Sequence, residues 1–121
     1  MHEISLAAAI IDQLESLGAD HPGKRIVGAR LSWGQLQPIS EAALREAFAI
    51  LVAEHPFASA RLDIIVEPLR ARCFRCGGQF SLDESPDACP HCGGGRFDLL
   101  PDKPLTLEQV ELTDAPAGDT T

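Results

Sequence analysis

The sequence predicts an α+β protein: a small three-stranded mixed sheet with two helices, plus an inserted zinc-ribbon-like module. Three observations predict it. Two stretches carry apolar residues at helical spacing, three shorter stretches alternate apolar and polar residues, and all four cysteines crowd into one glycine- and proline-rich segment. At 121 residues the chain has room for one compact body and a metal-stapled module.

The first helix is predicted over residues 4–17. Ile4, Ala7, Ala8, Ile11, Leu14 and Leu17 fall on one face, Gly18 stands where a C-terminal glycine belongs, and Pro22 follows. Residues 25–33 read as a strand, with Val27, Ala29, Leu31 and Trp33 on one parity and Gly28, Arg30 and Ser32 on the other. Trp33 is expected in the core, and 34–38 turn the chain. Ser40 is expected to cap a second helix whose buried stripe is Leu44, Ala47, Phe48 and Leu51, ending at His55-Pro56. A second strand spans 60–67, with Leu62, Ile64 and Val66 facing one way. Ile65 interrupts its polar parity, so part of that face is expected to be covered. The last strand covers 104–112. Leu105 and Leu107 differ in parity from Val110 and Leu112, which a β-bulge near Glu108-Gln109 would reconcile. The domain division is therefore 1–67 with 101–112 as the body, 68–100 as the zinc module, and 113–121 as a disordered tail.

Composition limits function. Apolar residues make up 45% of the chain, and the formal net charge is −8. A nucleic-acid binder of this size would carry a basic patch, whereas an acidic chain suits metal ions or a basic protein partner. No segment approaches 18 uncharged apolar residues, and the start lacks the basic and continuous apolar regions of a signal peptide. The expected location is the cytoplasm, where four cysteines favour metal over disulfides.

Cys73-Phe74-Arg75-Cys76 and Cys89-Pro90-His91-Cys92 are two C-x-x-C pairs with 12 residues between them, 77 to 88. Two such knuckles bring four thiolates around one ion, and Gly77-Gly78 and Gly93-Gly94-Gly95 let amides turn toward the sulfurs. Structural zinc is the reading. Redox dithiols, two disulfides or an iron–sulfur centre are the alternatives. Four thiolates leave zinc no open position, so the site is not catalytic. The apolar residues Phe74, Phe80, Leu82 and Phe97 are too few for an independent core, so the segment needs a staple. Within 70–100, Arg70, Arg72, Arg75 and Arg96 balance Asp83, Glu84, Asp87 and Asp98, so the module has no excess charge for phosphates.

The other end of the chain offers different donors. His2 is too bulky for routine removal of Met1, so a free amine on Met1 is expected. That amine, the His2 amide nitrogen and the His2 imidazole close five- and six-membered rings around one ion. Deprotonated amide nitrogens suit Ni(II) and Cu(II), and the amide or carboxylate of Glu3 is a further donor.

Met1-His2-Glu3-Ile4-Ser5-Leu6 resembles the N-terminus of the HypA/HybF family of nickel metallochaperones. The order of motifs is similar too: Trp33-Gly34 at the end of the first strand, Ala47-Phe48 in the second helix, Cys73 to Gly77, Cys89 to Gly93, and a closing strand from Leu107 to Leu112. The resemblance covers roughly residues 1 to 112. It implies that His2 is the essential nickel ligand, helped by the Met1 amine and nitrogens near Glu3, and that Cys73, Cys76, Cys89 and Cys92 hold zinc. It also implies delivery of Ni(II) to the [NiFe]-hydrogenase large subunit precursor, a HypB-type GTPase as partner, and service to urease accessory proteins in some relatives. Two departures stand out. Many relatives have acidic residues where this chain has Gln35 and Ser40, although Glu41 is adjacent. The only histidine beside the knuckles is His91.

The remaining candidates are weaker. His21 and His55 each precede a proline at a helix end and read as capping or surface residues. Glu41, Glu46 and Glu54 form a solvated helix face. Asp63 and Glu67 share strand parity without marking an acid/base pair, and no Ser-His-Asp set or P-loop is present. No enzyme activity is expected. The rival function is a zinc-ribbon module for protein interaction or nucleic-acid binding with no nickel role.

Overall fold

The computed structural model describes residues 2–114, with side chains from Glu3 onward. Two helices and six strands follow in the order α1 (His2–Asp20), β1 (Lys24–Gly34), α2 (Glu41–Val52), β2 (Arg61–Glu67), β3 (Arg70–Cys73), β4 (Gln79–Ser81), β5 (Phe97–Leu99) and β6 (Thr106–Asp114). They make two three-stranded sheets, ordered β2-β1-β6 and β4-β3-β5. The chain divides into two compact units. Among the described residues, one comprises 2–31, 38–64 and 107–114; the other comprises 32–37 and 65–106.

In the first unit α1 packs against α2. Ala7, Ile10, Ile11 and Leu14 are the buried residues of α1. Ile10 belongs to this stripe and Ile4 does not: Ile4 is 60% exposed. The face turned inward is centred one position away from that read by spacing, because a helix of 19 residues offers several overlapping i, i+3, i+4 sets. The α1 C-terminus is closed by His21, whose Nδ1 donates to the Leu17 carbonyl at 2.9 Å.

α2 begins as the sequence predicts. Ser40 is extended, and its Oγ accepts from the Ala43 amide at 3.2 Å. Leu44, Ala47 and Phe48 are buried, but the fourth buried residue is Val52, with Leu51 partly exposed. After α2, His55 lies 3.3 Å from a Glu15 carboxylate oxygen, with its ring 5.0 Å from that of Phe57.

β1 is the middle strand of its sheet, and it departs from simple alternation. Ile26, Gly28 and Ser32 are buried along with Ala29, Leu31 and Trp33, so both parities of the strand are covered. Gly28 has a specific role. A Cβ there would stand 2.8 Å from Arg61 Nη2, since the Arg61 guanidinium passes over Gly28 to pair with Glu111 of β6, while its Nε donates to Asp63 at 3.0 Å. One arginine of β2 thus reaches across β1 to β6. β2 is an edge strand, and both Ile65 and Val66 are 43% exposed, so the face of Ile65 is not covered and Val66 does not join Leu62 and Ile64. In β6, Leu107, Val110 and Leu112 are half-buried, as is Leu105 just before it. The strand runs on through Thr113 and Asp114, and Asp114 pairs with Lys24 at 2.6 Å. The rest of the segment read as a tail, 115–121, lies outside the described residues.

The second unit contains three strands that periodicity did not reveal. β3 pairs antiparallel with β4 (Ala71 opposite Phe80) and with β5 (Cys73 opposite Phe97). Its core is Ala71, Cys73, Phe80 and Cys89, with Leu82 and Phe97 packed against it. The Phe80 and Phe97 rings meet edge to face at 5.4 Å. The same unit holds a brace around the 34–37 turn. Asp102 accepts from the Leu36 amide at 3.0 Å and the Gln37 side chain at 3.3 Å, while Gly34 N–H donates to the Lys103 carbonyl at 2.8 Å.

Candidate metal centre

The two knuckles are near copies of one another. The Gly77 amide donates to the Cys73 carbonyl at 3.0 Å, and the Gly93 amide to the Cys89 carbonyl at 2.8 Å. Gly77 and Gly93 have φ of 75° and 76°, a left-handed conformation that side-chain-bearing residues rarely adopt. Each turn aims amides at sulfur: Arg75 N–H at Cys73 Sγ (3.3 Å), Gly78 N–H at Cys76 Sγ (3.4 Å) and His91 N–H at Cys89 Sγ (3.4 Å). Such donors stabilise thiolate over thiol.

The four sulfurs converge. Cys73 Sγ lies 3.6 Å from Cys92 Sγ, Cys76 Sγ lies 3.6 Å from Cys89 Sγ, and all four fall within 4.8 Å of one another. An S–S bond would need about 2.05 Å, so these are free thiols. Four sulfurs about 2.3 Å from a tetrahedral ion would stand about 3.8 Å apart. The donor set therefore fits Zn(II), and among the described residues it is the only group of three or more His, Cys, Asp or Glu so arranged. Cys73 and Cys89 are also core residues of the module, so the metal site and the apolar core are one structure.

Without an ion the cluster is electrostatically divided. The Cys76 amide, working against burial and joined by the Arg75 amide and neighbouring thiols, brings Cys73 down to about 7. At Cys76 the Gly78 amide favours the thiolate. The thiols of Cys89, Cys92 and Cys73, together with desolvation, outweigh it and push Cys76 up to about 11. Four thiolates cannot ionise side by side unless a cation replaces their protons.

At the chain start, α1 opens at His2, and Met1 lies outside the described residues. Glu3 Oε2 accepts from the Ser40 amide at 2.9 Å, which joins the first turn of α1 to the cap of α2. That amide holds the Glu3 carboxyl below the usual carboxylate range. Sequence reasoning missed this contact, since Glu3 and Ser40 are 37 positions apart. It also missed Asp102; its place between Pro101 and Pro104, beside a lone lysine, is the only local sign.

The other candidates resolve into structural roles. His91 is exposed, with its ring over Gly78. Trp33 is 1% exposed, a core residue. Glu41 pairs with Arg45 within α2, Asp63 with Arg61, and Glu67 with Lys103, so the two strand carboxylates serve cations rather than each other. No helix of the described residues is long and apolar enough to cross a membrane.

Comparison with known proteins agrees with this arrangement. Residues 1–112 match the family described as hydrogenase/urease nickel incorporation, metallochaperone, hypA. The chain is 38% identical over 114 residues to the hydrogenase maturation factor HypA of Paracoccus denitrificans, covering 94% of this chain and 96% of that protein. It is 35% identical over 129 residues to the HypA of Thermomicrobium roseum, covering 93% and 98%. Its fold is similar to the solution structure of the Ni metallochaperone HypA from Helicobacter pylori, with a TM-score of 0.60 at 19% identity over 93% of this chain and 98% of that one. A second solution structure of a HypA protein gives a TM-score of 0.66 at 20% identity, covering 93% and 97%. With its two helices, mixed three-stranded sheet and four-cysteine centre, the chain belongs to the HypA family of nickel metallochaperones.

Proposed function

We propose that this chain carries Ni(II) on its first residues and passes it to the [NiFe]-hydrogenase large subunit precursor, while Cys73, Cys76, Cys89 and Cys92 hold a structural Zn(II). The nickel donors are the Met1 amine, the His2 amide nitrogen and imidazole, and nitrogen at Glu3. The observation that carries this reading is the family match over residues 1–112, which takes in the chain's first residues and both knuckles. The chemistry agrees. An end-of-chain chelate orders little backbone on closing, and its donors must lose protons, so it releases metal readily as conditions change. Residues 1–67 with 101–112 form the nickel body, and 68–100 the zinc module. The partners are a HypB-type GTPase and the hydrogenase precursor, with urease accessory proteins a further client. The protein works in the cytoplasm, catalyses no reaction, and binds neither nucleic acid nor membrane, in keeping with its charge of −8.

The test is calorimetric Ni(II) titration of zinc-loaded protein whose start at Met1 is verified by mass spectrometry. His2→Ala and a Gly-Ser extension ahead of Met1 are run beside it. Both should weaken nickel binding by more than the 10- to 100-fold that a lost supporting contact costs, with zinc content unchanged. Equal affinity in the extended protein would exclude the Met1 amine as a ligand; equal affinity in His2→Ala would overturn the site.

A further inference from the structure

Phe74 is the one aromatic residue of the zinc module that does not join its core. Phe80 and Phe97 pack together, but Phe74 is 62% exposed at the tip of the first knuckle. A single exposed apolar residue needs no explanation; the surroundings of this one do. The Phe74 amide donates to the Arg96 carbonyl at 3.1 Å, which fixes the two residues side by side. Phe74, Arg75, Gly94, Gly95 and Arg96 line an open recess of about 450 Å³.

The floor of that recess is bare backbone held from behind. A Cβ on Gly94 would stand 3.3 Å from Cys73 Sγ and 3.4 Å from both Cys92 Sγ and Arg75 Cβ, whereas a Cβ on Gly95 would meet nothing within 4 Å. Gly94 is therefore pinned against the metal centre and Gly95 faces open space. A floor anchored to a closed tetrathiolate site loses little freedom when something settles on it.

The walls carry charge with no counter-ion. Among the described residues neither the Arg75 nor the Arg96 guanidinium makes an ion pair, although acidic residues outnumber basic ones by 18 to 10 in the chain. Arginine and exposed aromatic rings are the residue types enriched where protein surfaces meet. Two arginines beside a phenyl ring suit carboxylates flanking an apolar side chain. They are too few for a polyphosphate strand, which an acidic protein also repels.

We propose that the recess formed by Phe74, Arg75, Gly94, Gly95 and Arg96 is a docking site for an acidic segment of a protein partner, one that places an aromatic side chain on Phe74. Partner carboxylates pair with Arg75 and Arg96, and the peptide lies along the glycine floor. The recess shares no residue with the nickel donors, so its loss should leave nickel affinity intact.

The experiment titrates the zinc-loaded full chain with a short peptide of aspartate and glutamate around one tryptophan, followed by amide NMR shifts and calorimetry. Saturable shifts should centre on residues 74–75 and 94–96. Arg75→Gln and Arg96→Gln should each weaken binding about 3-fold, and Phe74→Ala about 10-fold, the range for exposed ion pairs and aromatic contacts. Replacing the peptide carboxylates by amides should weaken binding about 10-fold, as loss of both ion pairs would. Ni(II) affinity of all three variants should equal that of the parent. Binding of the amide peptide equal to the acidic one would overturn the proposal. So would an unweakened Arg75→Gln/Arg96→Gln double variant, or tighter binding of oligothymidylate than of the acidic peptide.

Discussion

Phe80→Ala tests whether the metal centre and the module's core are one cooperative unit. Phe80 is 4% exposed and belongs to the cluster that includes Cys73 and Cys89. Truncating a buried phenylalanine costs about 3–5 kcal/mol, and here it also removes the edge-to-face contact with Phe97. Few other apolar residues support the module: Ala71, with Leu82 and Phe97 half-buried. A core that small depends on its metal to fold, so the penalty passes almost whole into zinc affinity. A loss of about 3–4 kcal/mol corresponds to about 100- to 1,000-fold weaker zinc binding. Competition with a metallochromic chelator measures it, with Phe74→Ala as the control because Phe74 is exposed. Phe80→Ala within about threefold of the parent, the scatter of an independent surface site, would refute the coupling. An equal loss in Phe74→Ala would refute it as well.

Other outcomes follow from named contacts. Gly34→Ala pushes a Cβ into the Asp102 carboxylate and should cost about 2 kcal/mol in urea unfolding; Asp102→Ala in the same chain should recover part of it. Ser40→Ala removes the Oγ cap of α2 and should cost about 1 kcal/mol. It spares the Glu3 contact, which uses the Ser40 backbone amide, so nickel affinity should hold. In the zinc-free protein, Cys73 titrates near 7, below its ordinary 9.0. Its contribution to stability is complete above pH 9 and is lost as pH falls through 7. Cys76 is raised to about 11, so its thiol contributes below pH 9 and ceases to as pH rises through 11. Thiolate ultraviolet absorbance should therefore rise in separated steps, and zinc affinity should fall as pH drops from about 11, most steeply below 7 where Cys73 also takes up a proton. A single step at the ordinary thiol value would contradict this.

Local patterns carried much of the fold into the sequence. Both helices, the Ser40 cap and the central strand follow from spacing, because helix periodicity and capping depend on residues within a turn of one another. The two knuckles were legible for the same reason. Each is closed by a glycine four positions after its first cysteine, so the chemistry of the metal centre is written in short range. The M-H-E start and the order of motifs gave the family before any coordinate did.

Tertiary structure decided what depends on residues far apart. It selected Ile10 over Ile4 for the α1 face, since several helical stripes satisfied the spacing and only tertiary packing distinguished them. It brought Glu3 to Ser40, Asp102 to the 34–37 turn, and Arg61 across Gly28 to Glu111. It paired β3 with β4 and β5, strands of three or four residues too short for period-2 alternation to show. It also turned Phe74 outward while Phe80 and Phe97 turned in. All three phenylalanines look alike in one dimension. The knuckle places the residue after Cys73 at its tip, whereas the strand register sets Phe80 and Phe97 opposite the residues of the core, and only the folded chain supplies that difference.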